Sequence, residues 1–285
     1  MSTRNKRDPQ SNLIQSLARG LAVIRTFDHG NQRLTISDVA QRVNLSRATA
    51  RRFLLTLMEL GYASFDGKYF ALTPRVLDLG YAYLSSTPLW EIAQPHMEAV
   101  VARLHESCSA SVLQDNDIVY VARVPTRRIM TVTLGIGSRL PAFATSMGRV
   151  LLAYLEERER EQFLSSIQFP KFTARTVTEP ARLREILGEV AQRGWALLDQ
   201  ELEEGVRSVA VPIRDGNHRV IAATNVSGHA SRVSVAQMKR EFVPVLLEAA
   251  SRINATLALR APGSPSAGIR PEGPAASYTG RVTAI

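Results

Sequence analysis

Between Thr35 and Leu72 the sequence sets two short helices around a tight turn, then two apolar strands around a second turn. Thr35 ahead of Ile36-Ser37-Asp38 is a capping-box-like start, because its hydroxyl can satisfy an orphan N–H of the first turn. The helix it opens, about 36–43, packs through Val39, Ala40 and Val43. Asn44-Leu45 makes the turn, and Ser46 caps a further helix that runs to about Leu60. Gly61 stops it. Asp66-Gly67 then joins the strands 62–65 and 68–72, a strong hairpin signal. The spacing predicts a winged helix-turn-helix, in which one helix braces a second whose outer face can enter the major groove of DNA.

On that second helix Ala50, Phe53, Leu54 and Leu57 fall on one side, while Arg47, Ala48, Arg51 and Arg52 lie away from it. Arginine suits both tasks of such a face, pairing bidentately with guanine edges and neutralising phosphate. Ser46 and Thr49 can donate to a phosphate, and Lys68 on the wing can reach the backbone or the minor groove. Charge points the same way. Residues 1–75 hold twelve Lys/Arg against five Asp/Glu, whereas the rest of the chain holds 23 against 21. A basic module joined to a near-neutral one expects a polyanion on the basic side; the bland alternative is a three-helix bundle with a solvated basic face.

The 285 residues suit two domains. Residues 1–12 read as a disordered arm and 13–73 as the DNA-binding domain, which begins with a helix whose apolar stripe is Leu13, Leu17, Leu21, Ile24 and Phe27. Pro74 opens a linker helix carrying Val76, Leu77, Leu79 and Leu84, and 85–88 is a hinge closing the linker at 89. Residues 90–260 alternate helices (90–105, 145–155, 183–193, 235–259) with strands (110–113, 118–124, 129–134, 205–214, 219–227), and 135–141 reads as a loop. That mixture predicts an α+β sheet with helices packed on it. Residues 261–285, rich in Pro, Gly, Ser and Ala, read as a disordered tail. No apolar run approaches the roughly 20 residues of a membrane span, so no membrane partner is expected. Cys108 is the only cysteine, which excludes an internal disulfide and suits a reducing cytoplasm.

Several separate stretches resemble IclR-type bacterial transcription regulators. They are Ser16-Leu17-Ala18-Arg19-Gly20-Leu21, Leu60-Gly61-Tyr62, 140–149 with its Thr145-Ser146-Met147-Gly148-Arg149, Gly194-Trp195, 200–212, and Asn225-Val226-Ser227. With 83–89, they look closest to the branch regulating protocatechuate, 4-hydroxybenzoate and β-ketoadipate catabolism. The resemblance implies a C-terminal GAF-like effector-binding domain, a homodimer or dimer of dimers on a palindromic operator, and activation of aromatic-acid genes by a small aromatic or dicarboxylic acid. Carried over by motif, the effector contacts are Ile129, Ser146, Met147, Ser208, Asn225 and Ser227. Two positions depart from the family pattern: Ser208 stands where some relatives carry cysteine, and Leu198 where an acid is found, with Asp199 one step on. The physical reading agrees with the placement. Thr145 can cap the following helix and leave the N–H groups of Met147 and Gly148 for a carboxylate. Arg123 and Arg128 are further partners for an acid.

An enzyme with an appended DNA-binding module is the distant alternative; a repressor answering another organic acid is the nearer one. Cys108 with His105 is the only seed for nucleophilic catalysis, and helix-end residues of this kind are usually structural. Ser146 is not in a Gly-x-Ser-x-Gly elbow. The histidines show no metal-ligand spacing and there is no Gly-rich phosphate loop. No catalytic residue, metal or cofactor is expected.

Overall fold

The computed structural model describes residues 13–28, 30–86, 89–126 and 134–259. The proposed arm and tail, most of the strand 129–134, and Arg128 and Ile129 lie outside them. The chain divides into two compact units between Thr87 and Pro88.

In the first unit α1 (Gln15–Ile24), α2 (Ile36–Arg42) and α3 (Arg47–Glu59) precede a two-stranded sheet, β1 (Ala63–Phe65) and β2 (Phe70–Leu72). Both caps form as the sequence demands. Thr35 Oγ1 accepts from Asp38 N–H at 3.3 Å while Asp38 Oδ2 accepts from Thr35 N–H at 2.8 Å, a complete capping box. Asn44 takes a left-handed φ of 50°, which lets Leu45 N–H reach back to Ala40 O at 2.9 Å and turns the chain between the helices. Val39, Ala40, Ala50, Leu54, Leu57 and Phe70 close one core.

The hairpin is shorter than its sequence pattern. Phe65 pairs with Phe70, so the loop is four residues, not two. Asp66 Oδ1 holds it by accepting from Lys68 and Tyr69 N–H at 2.9 and 2.8 Å. The linker helix starts as a 3-10 turn, Pro74–Val76, before α4 (Leu77–Ser85).

Two apolar stripes behave differently from their periodicity. Leu13, Leu17 and Leu21 of the first helix stripe are exposed, and Val23 is the buried residue of α1. No residue of α4 is buried, and Leu77 and Tyr81 are each 69% exposed.

Among the described residues the second unit has a six-stranded antiparallel sheet, ordered β5-β4-β3-β8-β7-β6. Its strands are β3 (Ser107–Gln114), β4 (Asp117–Val124), β5 (Arg139–Pro141), β6 (Ala196–Asp199), β7 (Val206–Arg214) and β8 (Val220–His229). β5 falls in what reads as a loop, and β6 is too short to show a period of its own. α5 (Leu89–Leu104) packs on β3 and β4. α6 (Ser146–Ala153) crosses the sheet with α8 (Pro180–Arg193) behind it. α7 (Glu157–Ser166) has two buried residues, Phe163 and Leu164, too few to stand out among its charges.

The final helix is interrupted. A π turn, Met238–Phe242, separates α9 (Val235–Gln237) from α10 (Val243–Leu259). By length and composition alone the stretch Val235–Leu259 could cross a membrane, with a mean hydropathy of 1.3 over 18 residues, although charged residues interrupt it at Lys239, Arg240, Glu241, Glu248 and Arg252. Here it is a core helix: Val243, Leu246, Ala250 and Ile253 are buried, and it packs on β7 and α5.

Candidate functional site

Ser46 Oγ accepts from Thr49 N–H at 3.2 Å and bonds Thr49 Oγ1 at 2.8 Å, so the two proposed phosphate donors first fix the start of α3. Beyond that cap Arg47, Arg51 and Arg52 stand exposed, and none pairs with a carboxylate among the described residues. Their opposite face is the core side, Ala50, Leu54 and Leu57. The wing adds Lys68, whose Nζ lies 5.0 Å from the centre of the Tyr69 ring. Arg33, which sequence reasoning missed, is 5.2 Å from the same ring and pairs with Asp66. Unpaired guanidinium groups on an exposed helix, beside a short cationic wing, form a surface that suits a polyanion.

The second unit holds a cavity of about 340 Å³. It gathers six of the eight proposed effector residues: Arg123, Ser146, Met147, Ser208, Asn225 and Ser227. The other two, Arg128 and Ile129, lie outside the described residues. Register explains the gathering. Arg123, Ser109 and Asn225 stand opposite one another on β4, β3 and β8. One step along, Ser107, Ser227, Ser208 and Leu198 form a second row across β3, β8, β7 and β6. Two rows two residues apart share a face, so the cavity floor carries four serine hydroxyls and the Asn225 amide, with Arg123 and Leu198 at its ends. Ser107 and Ser109 were not singled out from sequence; each gains meaning only from its cross-strand neighbours. The departure at Leu198 also resolves by alternation. Leu198 lines the cavity, while Asp199 is bound by Arg207 and Arg175. Burial works against ionisation of Asp199, but those hydrogen bonds and charges outweigh it and hold its carboxyl below the usual range.

Above the floor, Thr145 Oγ1 accepts from Gly148 N–H at 3.1 Å. That corrects the reading in which this donor stays available to a carboxylate. Gly148 is required here, since a Cβ would sit 2.1 Å from Ala142 O. Ser146 Oγ and Asn225 Oδ1 are buried with no hydrogen-bond partner among the described residues. Asn225 is oriented by its own Nδ2, which donates to Ser227 Oγ at 3.0 Å. Orphaned polar atoms at a cavity wall are costly unless something else bonds them.

Residues 16–67 match the IclR helix-turn-helix domain, and residues 81–255 match the C-terminal domain described as that of the bacterial transcriptional regulator IclR. The chain belongs to the IclR family. This IclR-family regulator is 45% identical to the Pca regulon regulatory protein of Pseudomonas putida, over 84% of this chain and 82% of that one. It is 35% identical to the p-hydroxybenzoate hydroxylase transcriptional activator of Acinetobacter baylyi, over 84% and 90%. Among solved structures, a transcriptional regulator of Rhodococcus sp. RHA1 superposes with a TM-score of 0.79 at 53% identity, covering 86% of this chain and 99% of that one. An IclR homolog from Microbacterium hydrocarbonoxydans, complexed with 4-hydroxybenzoate, gives 0.75 at 29% identity, over 85% and 98%.

The family consists of transcriptional regulators, and the one catalytic seed fails on chemistry. Cys108 is fully buried on β3 beside Thr224 Oγ1 at 3.5 Å, and burial pushes its thiol up to about 12. An activated cysteine needs the opposite shift. Sequence reasoning also missed Arg149 of the Thr145–Arg149 motif, which is buried and paired with Glu201 on the cavity wall. The available signal was an arginine inside an apolar helix, a position that demands a partner.

Proposed function

We propose that this IclR-family regulator activates aromatic-acid catabolic genes when a small carboxylic acid occupies the cavity of its second unit. The candidates are 4-hydroxybenzoate, protocatechuate and β-ketoadipate. The observation that carries the reading is the pair of orphaned atoms, Ser146 Oγ and Asn225 Oδ1, in a cavity floored by serines. A hydroxylated acid supplies both missing partners, a hydroxyl donating to Asn225 Oδ1 and an oxygen accepting from Ser146 Oγ, whereas a keto acid supplies only the second; a benzoic acid fits the volume. Supporting it are the 4-hydroxybenzoate complex of the Microbacterium homolog and the names of the Pseudomonas and Acinetobacter relatives. The domain bounds that serve this reading are 13–73 for DNA, 74–89 for the linker and 90–260 for the effector.

DNA binding falls to Ser46, Arg47, Thr49, Arg51, Arg52 and Lys68, acting in the cytoplasm on a palindromic operator. The exposed stripes of α1 and α4 favour a homodimer, since a second copy would cover them. A thermal-shift panel of the three acids tests the effector, because a ligand at a hundredfold excess over its dissociation constant stabilises by about 2.7 kcal/mol. A reporter fused to the target promoter tests the sign: the acid should raise expression only when the regulator is present. No stabilisation by any of the three acids refutes the effector reading, and lowered expression on deleting the acid's binding site, Asn225 and Ser227, is required by it.

A further inference from the structure

Tyr120 and Arg123 share one face of the sheet because β4 carries an extra residue. Ala110 pairs with Ala122 and Ser111 with Tyr120, so Val121 has no opposite number on β3 and the register shifts there. Residues three apart in a regular strand point to opposite faces. A bulge re-aims one of them. On β3 the opposing residues, Ser109 and Ser111, are two apart and so lie on a common face. Ser109 lines the cavity, and Ser111 Oγ donates to Met147 Sδ at 3.3 Å. Tyr120 and Arg123 accordingly line the same cavity, next to the start of α6.

Both have donors to spare. Tyr120 is 5% exposed, and its hydroxyl has no hydrogen-bond partner among the described residues. Arg123 is half-buried and pairs there with no carboxylate. The acids deeper in the wall are already matched: Glu106 by Arg232 at 3.1 Å and Glu201 by Arg149 at 2.5 Å. Glu203, the third, is exposed to water at the rim, where solvent screens it. Arg123 is thus the uncompensated cation of the described inner wall. The start of α6 offers less than its sequence suggests, because Gly148 N–H is committed to Thr145.

We propose that Tyr120 and Arg123 form the acid-reading pair of the cavity, the phenol and the guanidinium donating together to one carboxylate of the effector. The inference rests on the small-acid reading above and names the residues that select an acid over its neutral analogue. Burial pushes the Tyr120 phenol up to about 12, with Arg123 pulling the other way, so the hydroxyl stays a proton donor at neutral pH. Charge-assisted bonds to a carboxylate are about twice as strong as neutral ones, and a carboxamide forfeits them.

The test is calorimetric titration of the full-length protein with 4-hydroxybenzoate, protocatechuate and β-ketoadipate, each against its carboxamide. Wild type, R123Q, R123K and Y120F are compared after their melting temperatures confirm folding. Wild type should prefer the acid. R123Q should weaken acid binding by about tenfold or more and leave amide binding within about threefold, so the preference collapses. R123K should keep part of it, having the charge without the planar fork. Y120F should weaken the acid several-fold, about the worth of one hydrogen bond, and the amide less. An unchanged acid-to-amide ratio in R123Q and Y120F overturns the pair while leaving the small-acid reading standing. Wild type binding none of the three acids overturns that reading, and this inference falls with it.

Discussion

Arg149 and Glu201, 52 residues apart in the chain, are joined by two hydrogen bonds: Nη1 to Oε1 at 2.8 Å and Nη2 to Oε2 at 2.5 Å. Arg149 Nε completes the set by donating to Phe143 O at 3.0 Å. The two side chains are 3% and 11% exposed, so neither charge has much water to fall back on. The pair ties α6 to the segment after β6, where Thr173 and Thr176 hydroxyls also donate to the Gln200 and Glu201 carbonyls at 2.7 and 2.6 Å. Breaking a buried pair strands the other charge, so Arg149→Ala should destabilise the second unit by about 3–5 kcal/mol. Replacing both partners with apolar residues should cost less. Urea unfolding followed by circular dichroism reads both; equal losses would show that the charges matter only as volume.

Arg51 leaves the core face of α3 and pairs with no acid among the described residues, so Arg51→Ala should spare the fold and weaken operator binding. If it reads a base edge, the loss is about 1–3 kcal/mol and confined to certain operator positions. If it meets phosphate, the loss is uniform across sequences and the salt dependence becomes shallower by about one ion. Fluorescence anisotropy on native and mutated operators separates these, and unchanged binding removes Arg51 from the interface.

Asn225→Ala and Ser227→Ala each remove one member of a mutually oriented pair at the cavity floor. Each should weaken the effector by about 1–3 kcal/mol, the range for losing a buried hydrogen bond. DNA affinity without effector should change little. Calorimetry alongside anisotropy gives both numbers, and wild-type effector affinity in both variants would remove the pair from the site.

The Cys108 thiol, pushed up to about 12 by burial, should resist thiol reagents at neutral pH until the second unit unfolds. Because the folded thiol holds its proton more tightly than the unfolded one, this group makes stability fall as pH rises through the unfolded value toward the folded one. Reaction with a disulfide reagent, timed with and without denaturant, checks the first claim. Rapid labelling of native protein would contradict it.

Leu77 and Tyr81 of α4, both exposed in the single chain, should be covered by a second copy if the proposed homodimer forms through this helix. Replacing both with Asp should shift sedimentation from dimer to monomer at micromolar concentration and weaken operator binding. A wild-type monomer that still binds its operator at full affinity would count against this.

Local interactions made the first unit legible from sequence. A cap, a left-handed turn residue and an i, i+3, i+4 stripe act within four or five residues, so Thr35, Ser46, Asn44 and the Ala50–Leu54–Leu57 side of α3 announce themselves in order along the chain. The same logic placed Asp66-Gly67, though not the four-residue loop, because Asp66 chooses between turns by which N–H groups it can reach. Periodicity marked the stripe of α1 as apolar, yet a period of 3.6 says nothing about what will cover the face. In the second unit the motif-bearing residues of the cavity came from resemblance; their assembly came from the sheet. Ser107 and Ser109 join the site through cross-strand register, Tyr120 and Arg123 through one unpaired residue in β4, and Arg149 through a glutamate 52 positions away. The serine rows and the Arg149–Glu201 pair depend on distant segments and the β4 bulge on pairing within one hairpin, and a strand's register is set by the whole sheet and its two packed faces. That is why the helices and turns belong to the sequence, while the chemistry of the cavity belongs to the fold.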